Sequence, residues 1–298
     1  MSHKTAKHEK HEKHEEQTRP KHPVANEDSA QAAFASYAAP LVDVAIDSAQ
    51  ALDQDTSPET LHKLRVSLRR LRSLWWAFQP LLEEGENGRE RALYKYLAAA
   101  AGKTRDWDIL IELLNQDDVA KDIKPRLEEA RGGALATSRE TLSNADIKHL
   151  LREALASAGR EINTSPARVS LNRFAQKRVA ASEKSLKKRV KRAAHAKRSN
   201  YTAFHDVRKA GKKLRYLLEF FEPVLKADKK GGQARTLKRL KQIQKRFGKL
   251  NDIVASEMLL HDNAALLADS GDPDAARRWL GKERKRRMRS AAALLRKM

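Results

Sequence analysis

Two stretches of this chain repeat an uncommon arrangement, a histidine followed by guanidinium and ammonium groups at fixed spacing. Leu61-His62-Lys63-Leu64-Arg65-Val66-Ser67-Leu68-Arg69-Arg70-Leu71-Arg72 is matched by Phe204-His205-Asp206-Val207-Arg208-Lys209-Ala210-Gly211-Lys212-Lys213-Leu214-Arg215. In both, cations stand three, seven, eight and ten residues beyond the histidine. At about 100° per residue, the helical period, the first, second and last of these share the histidine's face. His62, Arg65, Arg69 and Arg72 form one cationic stripe; His205, Arg208, Lys212 and Arg215, with Lys209 alongside, form its twin. Like charges three or four residues apart on a helix repel by about 0.2–0.5 kcal/mol per pair. A stripe of one sign therefore opposes folding, and a ligand carrying many negative charges would offset it.

A linear polyanion presents oxygens at regular intervals and is matched by rows of fixed donors. Arginine offers a planar fork that grips two oxygens at once, whereas lysine is an adaptable point charge. Further rows stand at helical spacing: Arg173, Lys177, Lys184 and Lys188; Lys238, Lys241 and Lys245; and Lys282, Arg286 and Arg289. Converging on one groove, their fields would add. The surrounding cations disfavour protonation of His62 and His205, which are expected to be neutral until a bound polyanion reverses the local field. Asp106 and Asp252, each four residues after a glycine, resemble a catalytic pair but are read as caps on the helices that follow. Glu219, four residues beyond Arg215, is expected to orient that guanidinium.

The elements that must position these groups are helical. Nine prolines and twelve glycines leave long runs of good helix formers. Opposite the first stripe lie Leu64, Leu68, Leu71, Trp75 and Phe78; opposite the second lie Val207, Leu214, Leu218 and Phe221. Each helix thus packs with one side and displays charge with the other. Helices are predicted near 29–51, 59–82, 89–101, 170–197, 202–225 and 235–247. Breaks are expected at 83–88, Gly102, Asp117, Gly132, Asn144, Gly231–Gly232 and Gly248. Thr56 and Ser57 are capping candidates. Trp75, Trp76, Trp107 and Trp279 fall in apolar patterns and read as core. With Gly102-Lys103-Thr104-Arg105-Asp106 set against Gly248-Lys249-Leu250-Asn251-Asp252, the repeat extends over most of the chain. The predicted architecture is all-α, two pseudo-symmetric bundle-like halves (26–163 and 164–298) behind a tail, 1–25. That tail is rich in His, Lys and Glu and reads as disordered.

Composition narrows the function classes. The 298 residues are 40% hydrophobic and 34% charged, with a formal charge of +22 and no cysteine. There is no disulfide framework, no thiolate nucleophile and no apolar run able to span a membrane. A cytoplasmic protein without cofactor or metal is expected. Residues 26–160 hold 18 Lys/Arg against 22 Asp/Glu, and residues 161–298 hold 37 against 13. An acidic half that builds the same cationic stripe as its basic twin places that stripe by design, not by bulk basicity. No P-loop or dense carboxylate cluster suggests phosphoanhydride chemistry. A nucleic-acid binder is the alternative, but exposed aromatics interleaved with base are lacking.

The paired histidine helices, the second continuing through Lys213-Leu214-Arg215-Tyr216 to Glu219, and the Gly-x-x-x-Asp turns resemble the CHAD family (conserved histidine α-helical domain). The resemblance runs from about Asn26 to the C-terminus. It implies two four-helix-bundle-like halves flanking a basic central groove or pore, with inorganic polyphosphate as the partner. It also implies a non-catalytic module that targets polyphosphate granules.

Overall fold

A computed structural model of the chain describes residues 29–52, 58–117, 119, 121–164, 168–197, 200–225, 232–268, 272 and 274–296. The tail 1–25, Thr56, Ser57 and Gly231 lie outside them. The helices longer than one turn are α1 (Ala30–Ala51), α2 (Pro58–Phe78), α3 (Glu84–Ala100), α4 (Lys103–Leu114), α5 (Lys124–Ser143), α6 (Ile147–Thr164), α7 (Leu171–His195), α8 (Tyr201–Phe220), α9 (Gly232–Asp262) and α10 (Ala275–Leu295). Among the described residues the β-type pairing is a single bridge between Ser29 and Ser170. No helix there is long and apolar enough to cross a membrane.

Local chemistry sets several ends. The Ser29 hydroxyl accepts from the Ala32 N–H at 3.2 Å and starts α1; the Asn200 side chain accepts from Ala203 N–H at 3.1 Å and starts α8. The apolar stripes of the two histidine helices are buried as their spacing requires: Leu64, Leu68, Leu71, Trp75 and Phe78 on α2, and Val207, Leu214, Leu218 and Phe221 on α8.

Of the predicted breaks, one is shortened and two are absent. α3 begins at Glu84 rather than near Arg89, where the buried Asn87 amide donates to the Trp75 carbonyl at 3.2 Å and ties this segment onto α2. α5 continues through Gly132 and Gly133; buried Leu127 on one side and Ser138 and Leu142 on the other anchor it against their weak propensity. α9 passes through Gly248 unbroken, because Ile243, Phe247, Leu250 and Ile253 keep one continuous face buried.

Three apolar clusters hold the helices, and two of them draw on both halves of the sequence. The largest joins α1, α2, α3 and α6 to the first turns of α7 and the end of α8. A second lies among α7, α8, α9 and α10. A third packs α4 and α5 against α9 and α10. Repeat-equivalent residues meet at several levels: Ser29 pairs with Ser170, and Phe78 lies 5.8 Å from Phe221 between ring centroids. These contacts are consistent with a pseudo-twofold relating the halves.

Phe78 sits at the centre, with Phe34 and Phe174 each 5.3 Å away between centroids and Tyr37 at 6.3 Å. Because its ring is shared by α1, α2, α7 and α8, Phe78→Ala is expected to cost about 3–5 kcal/mol. Urea unfolding of the variant against the parent chain measures that loss.

Candidate functional site

α2 and α8 lie against each other, so the stripes meet. Burial lowers the pKa of both Arg65 and Arg208; Arg69 lowers both further, and Arg208 acts on Arg65 in turn. Arg69 also donates to the Tyr216 hydroxyl of α8 at 3.2 Å. Arg65 Nη1 donates to the Gly102 carbonyl at 2.8 Å and stands 3.7 Å from the Asp106 carboxylate. In the other half Asp252 offsets Arg208, and Lys212 acts on the same carboxylate. Arg65, Arg69, Arg208 and Lys212 thus surround two carboxylates at the junction of the halves.

Those carboxylates are not the helix caps their position suggested. Gly102 occupies the N-cap of α4, with Asp106 inside the first turn and aimed at Arg65. Asp252 lies well within α9. Burial raises the pKa of both; Arg65 pulls Asp106 back down and Arg208 pulls Asp252, while Asp252 pushes Asp106 up. They act as built-in counter-ions of the converging arginines. Gly102 is equally specific to this arrangement. Its backbone is ordinary, with φ −103° and ψ −16°, but an added Cβ would overlap the Arg65 guanidinium. Gly248, its match in the repeat, faces open space.

The two histidines sit in different surroundings. Both ring nitrogens of His62 are covered from solvent. His205 Nδ1 lies 3.1 Å from the Tyr201 hydroxyl, which donates to Asn251 Oδ1 at 3.1 Å. With that proton committed, Nδ1 is the donor to the hydroxyl oxygen and Nε2 is left as an acceptor. Burial, followed by Lys209 and Arg208, lowers the His205 pKa; the expected neutral imidazole follows, with burial ahead of the cations as its cause.

The remaining predicted residues divide. Arg215 Nε donates to Glu219 at 2.6 Å, the intrahelical pair expected, and Arg215 also donates to Gln244 of α9. Lys209 pairs with Asp206 at 3.1 Å. Arg72 is exposed and acts on Arg91 and Lys213. Lys245 and Arg286 meet beside Lys249 and Arg287 in a separate patch between α9 and α10, with Arg286 gripping Glu283 through two bonds of 2.6 Å. Lys238, Lys241, Lys282 and Arg289 are solvent-exposed on the same two helices. Arg173, Lys177, Lys184 and Lys188 are exposed as well. α7 instead turns Arg178 and Arg189 toward α2 and α8, where they line a cleft with Trp76, Lys209 and Lys213. The signal for that face was the run Arg178, Ser182, Ser185, Arg189, whose steps of four, three and four residues trace one helical side. Trp76, read as core, is half-buried, with Lys213 Nζ 4.6 Å and Arg178 Cζ 4.8 Å from its ring centroid.

Two outcomes follow from this geometry. Gly102→Ala expels Arg65 from its carbonyl and carboxylate, an expected loss of about 1–3 kcal/mol read by chemical denaturation. For His205 the folded pKa lies below the ordinary 6.5, so its contribution to stability is complete above that value and is lost as pH falls toward the folded pKa. Ring-proton NMR should place the His205 midpoint below 6.5, and His205→Gln should flatten the decline of thermal stability on acidification.

Solved structures share this fold. A crystal structure of the CHAD domain from the plant Ricinus communis superposes with a TM-score of 0.78 at 23% sequence identity, covering 94% of this chain and 96% of that one. PptA from Streptomyces chartreusis matches with a TM-score of 0.61 at 15% identity, covering 90% and 96% respectively. At these identities the likeness is one of fold. No curated protein matches the chain. The CHAD domain family model, however, matches residues 36–261, a span that includes both histidine helices and the arginine junction, and on that match the chain belongs to the CHAD family.

Proposed function

We propose that this protein binds inorganic polyphosphate without catalysing its turnover, and that this binding targets it to polyphosphate granules. The observation that carries the reading is the convergence of Arg65 and Arg69 with Arg208 from the twin helix, where Arg69 bonds Tyr216 of that helix and lowers the pKa of both Arg65 and Arg208, and Arg208 lowers that of Arg65. Cations so placed repel in the free protein, and a chain of phosphoryl groups relieves that repulsion along its whole length. Asp106 and Asp252 belong to the same balance. Engaged as counter-ions of Arg65 and Arg208, they have a role at the site that needs no reaction.

The donors differ in freedom. Arg65 and Arg215 are held by neighbours and fix the register of bound oxygens, whereas exposed Arg72 and half-buried Lys212 can follow a moving chain. A test must spare the arginines that neutralise Asp106 and Asp252, since their loss would leave a buried carboxylate alone. Replacing Arg69, Arg72 and Lys212 together with Gln should leave circular dichroism unchanged and weaken long-chain polyphosphate binding by about tenfold or more. Affinity in the parent protein should fall steeply with salt. Unchanged affinity in the triple variant, or displacement of polyphosphate by RNA or DNA at equal phosphate concentration, would reject the assignment.

A further inference from the structure

The cleft between α2, α7 and α8 has properties that the duplicated stripes do not explain. It encloses about 370 Å³ and is lined by Trp76, Arg178, Arg189, Asp206, Lys209 and Lys213, with the Ser182 and Ser185 side of α7 as its floor. That volume lies in the range of roughly 300–1,000 Å³ common to small-ligand sites. Arg72 and Arg91 stand near enough to lower the Lys213 pKa together with Arg189 and Arg178, after burial, the largest cause.

Charge here is poorly compensated. Asp206 is the one carboxylate in the lining, and it is shared by Lys209 at 3.1 Å and Arg192 at 3.2 Å. Among the described residues Lys213, Arg72, Arg91, Arg178 and Arg189 form no ion pair with a carboxylate. The Nε atoms of Arg91 and Arg178 are buried without an acceptor. Arg178 is fixed by its bond to the Trp76 carbonyl at 2.6 Å, and Arg189 by its bond to Ser185 Oγ. Their positions are therefore set before any ligand arrives.

The cleft lies where α2 of one half meets α7 and α8 of the other, and it has no twin across the pseudo-twofold. With the histidine helices aligned, Trp76 corresponds to Glu219, Lys213 to Arg70, Lys209 to Val66 and Asp206 to Lys63. With Ser29 set against Ser170, Arg178 corresponds to Tyr37 and Arg189 to Ser48, both buried. The twin position thus offers only two cations, Lys63 and Arg70, beside the carboxylate of Glu219.

We propose that this cleft is a second anion site, taking a compact triphosphate-class group whose charge is enclosed by Arg178, Arg189, Lys209 and Lys213. The Trp76 ring already contacts two cations, so recognition is of charge and not of a stacked base. The class of ligand rests on the polyphosphate reading; the location does not. Binding draws Lys213 and Arg178 toward the ligand and changes the field at the Trp76 indole, which makes this tryptophan a reporter.

The test is a fluorescence and calorimetric titration of the full chain with inorganic tripolyphosphate, and in a parallel arm with ATP. Tripolyphosphate should change the tryptophan emission of the parent protein and of Lys212→Gln, and the change should vanish in Trp76→Phe. Lys213→Gln combined with Arg189→Gln should weaken calorimetric binding by about tenfold or more, while Lys213→Arg retains it. ATP should bind no more tightly than tripolyphosphate, and tighter binding of ATP would overturn recognition by charge alone. Full tripolyphosphate affinity in the double variant, or its loss in Lys212→Gln alone, would overturn the proposal by placing the anion elsewhere. Failure of long chains to bind the parent protein would remove the polyphosphate function and leave this result standing.

Discussion

Bringing two arginine ridges into one junction is electrostatically unfavourable, and the rest of the fold is arranged around holding them there. The repulsion and desolvation at Arg65 and Arg208 are opposed from two directions. Asp106 and Asp252 supply local negative charge, and the aromatic cluster of Phe34, Tyr37, Phe78, Phe174 and Phe221 joins α1, α2, α7 and α8 at the other end of the histidine helices. Non-directional apolar burial can absorb such a cost because it is summed over many contacts. A polyanion that neutralises the ridges then meets donors already in place.

The halves are not two independent bundles. Phe174 from the start of α7 packs on Phe78 of α2, and α4 and α5 share a core with α9 and α10. Moving one half against the other would open both clusters. The spacing between the stripes is consequently a property of close-packed side chains and not of a linker.

Within this frame the cations are graded by how tightly they are held. Arg65 is wedged over Gly102, and Arg215 is clamped by Glu219 and Gln244; Arg72 and the outer lysines of α7 and α9 stand in solvent. In the proposed polyphosphate complex the held donors define where phosphoryl groups sit, and the free ones raise local ligand concentration through their field. The cleft beside Trp76 departs from the repeat at positions on α2, α7 and α8 alike, so the two halves share a scaffold but not every surface.

Periodicity alone was enough for the helical class, the duplicated histidine helices and their buried faces, since a 3.6-residue period places Leu64, Leu68 and Leu71 on one side wherever the helix packs. It also made the Arg215–Glu219 pair legible, because partners four residues apart need no tertiary contact. Which glycines break a helix was not legible. Gly102 ends α3 beneath Arg65, while Gly248 passes unnoticed through α9, and the difference lies in what packs against each. The same holds for the site. A charged residue's partner across helices depends on rotation and approach, which one-dimensional spacing does not encode, so only the packed structure matched Asp106 to Arg65 and selected Arg178 and Arg189 over Arg173, Lys177, Lys184 and Lys188 to face α8.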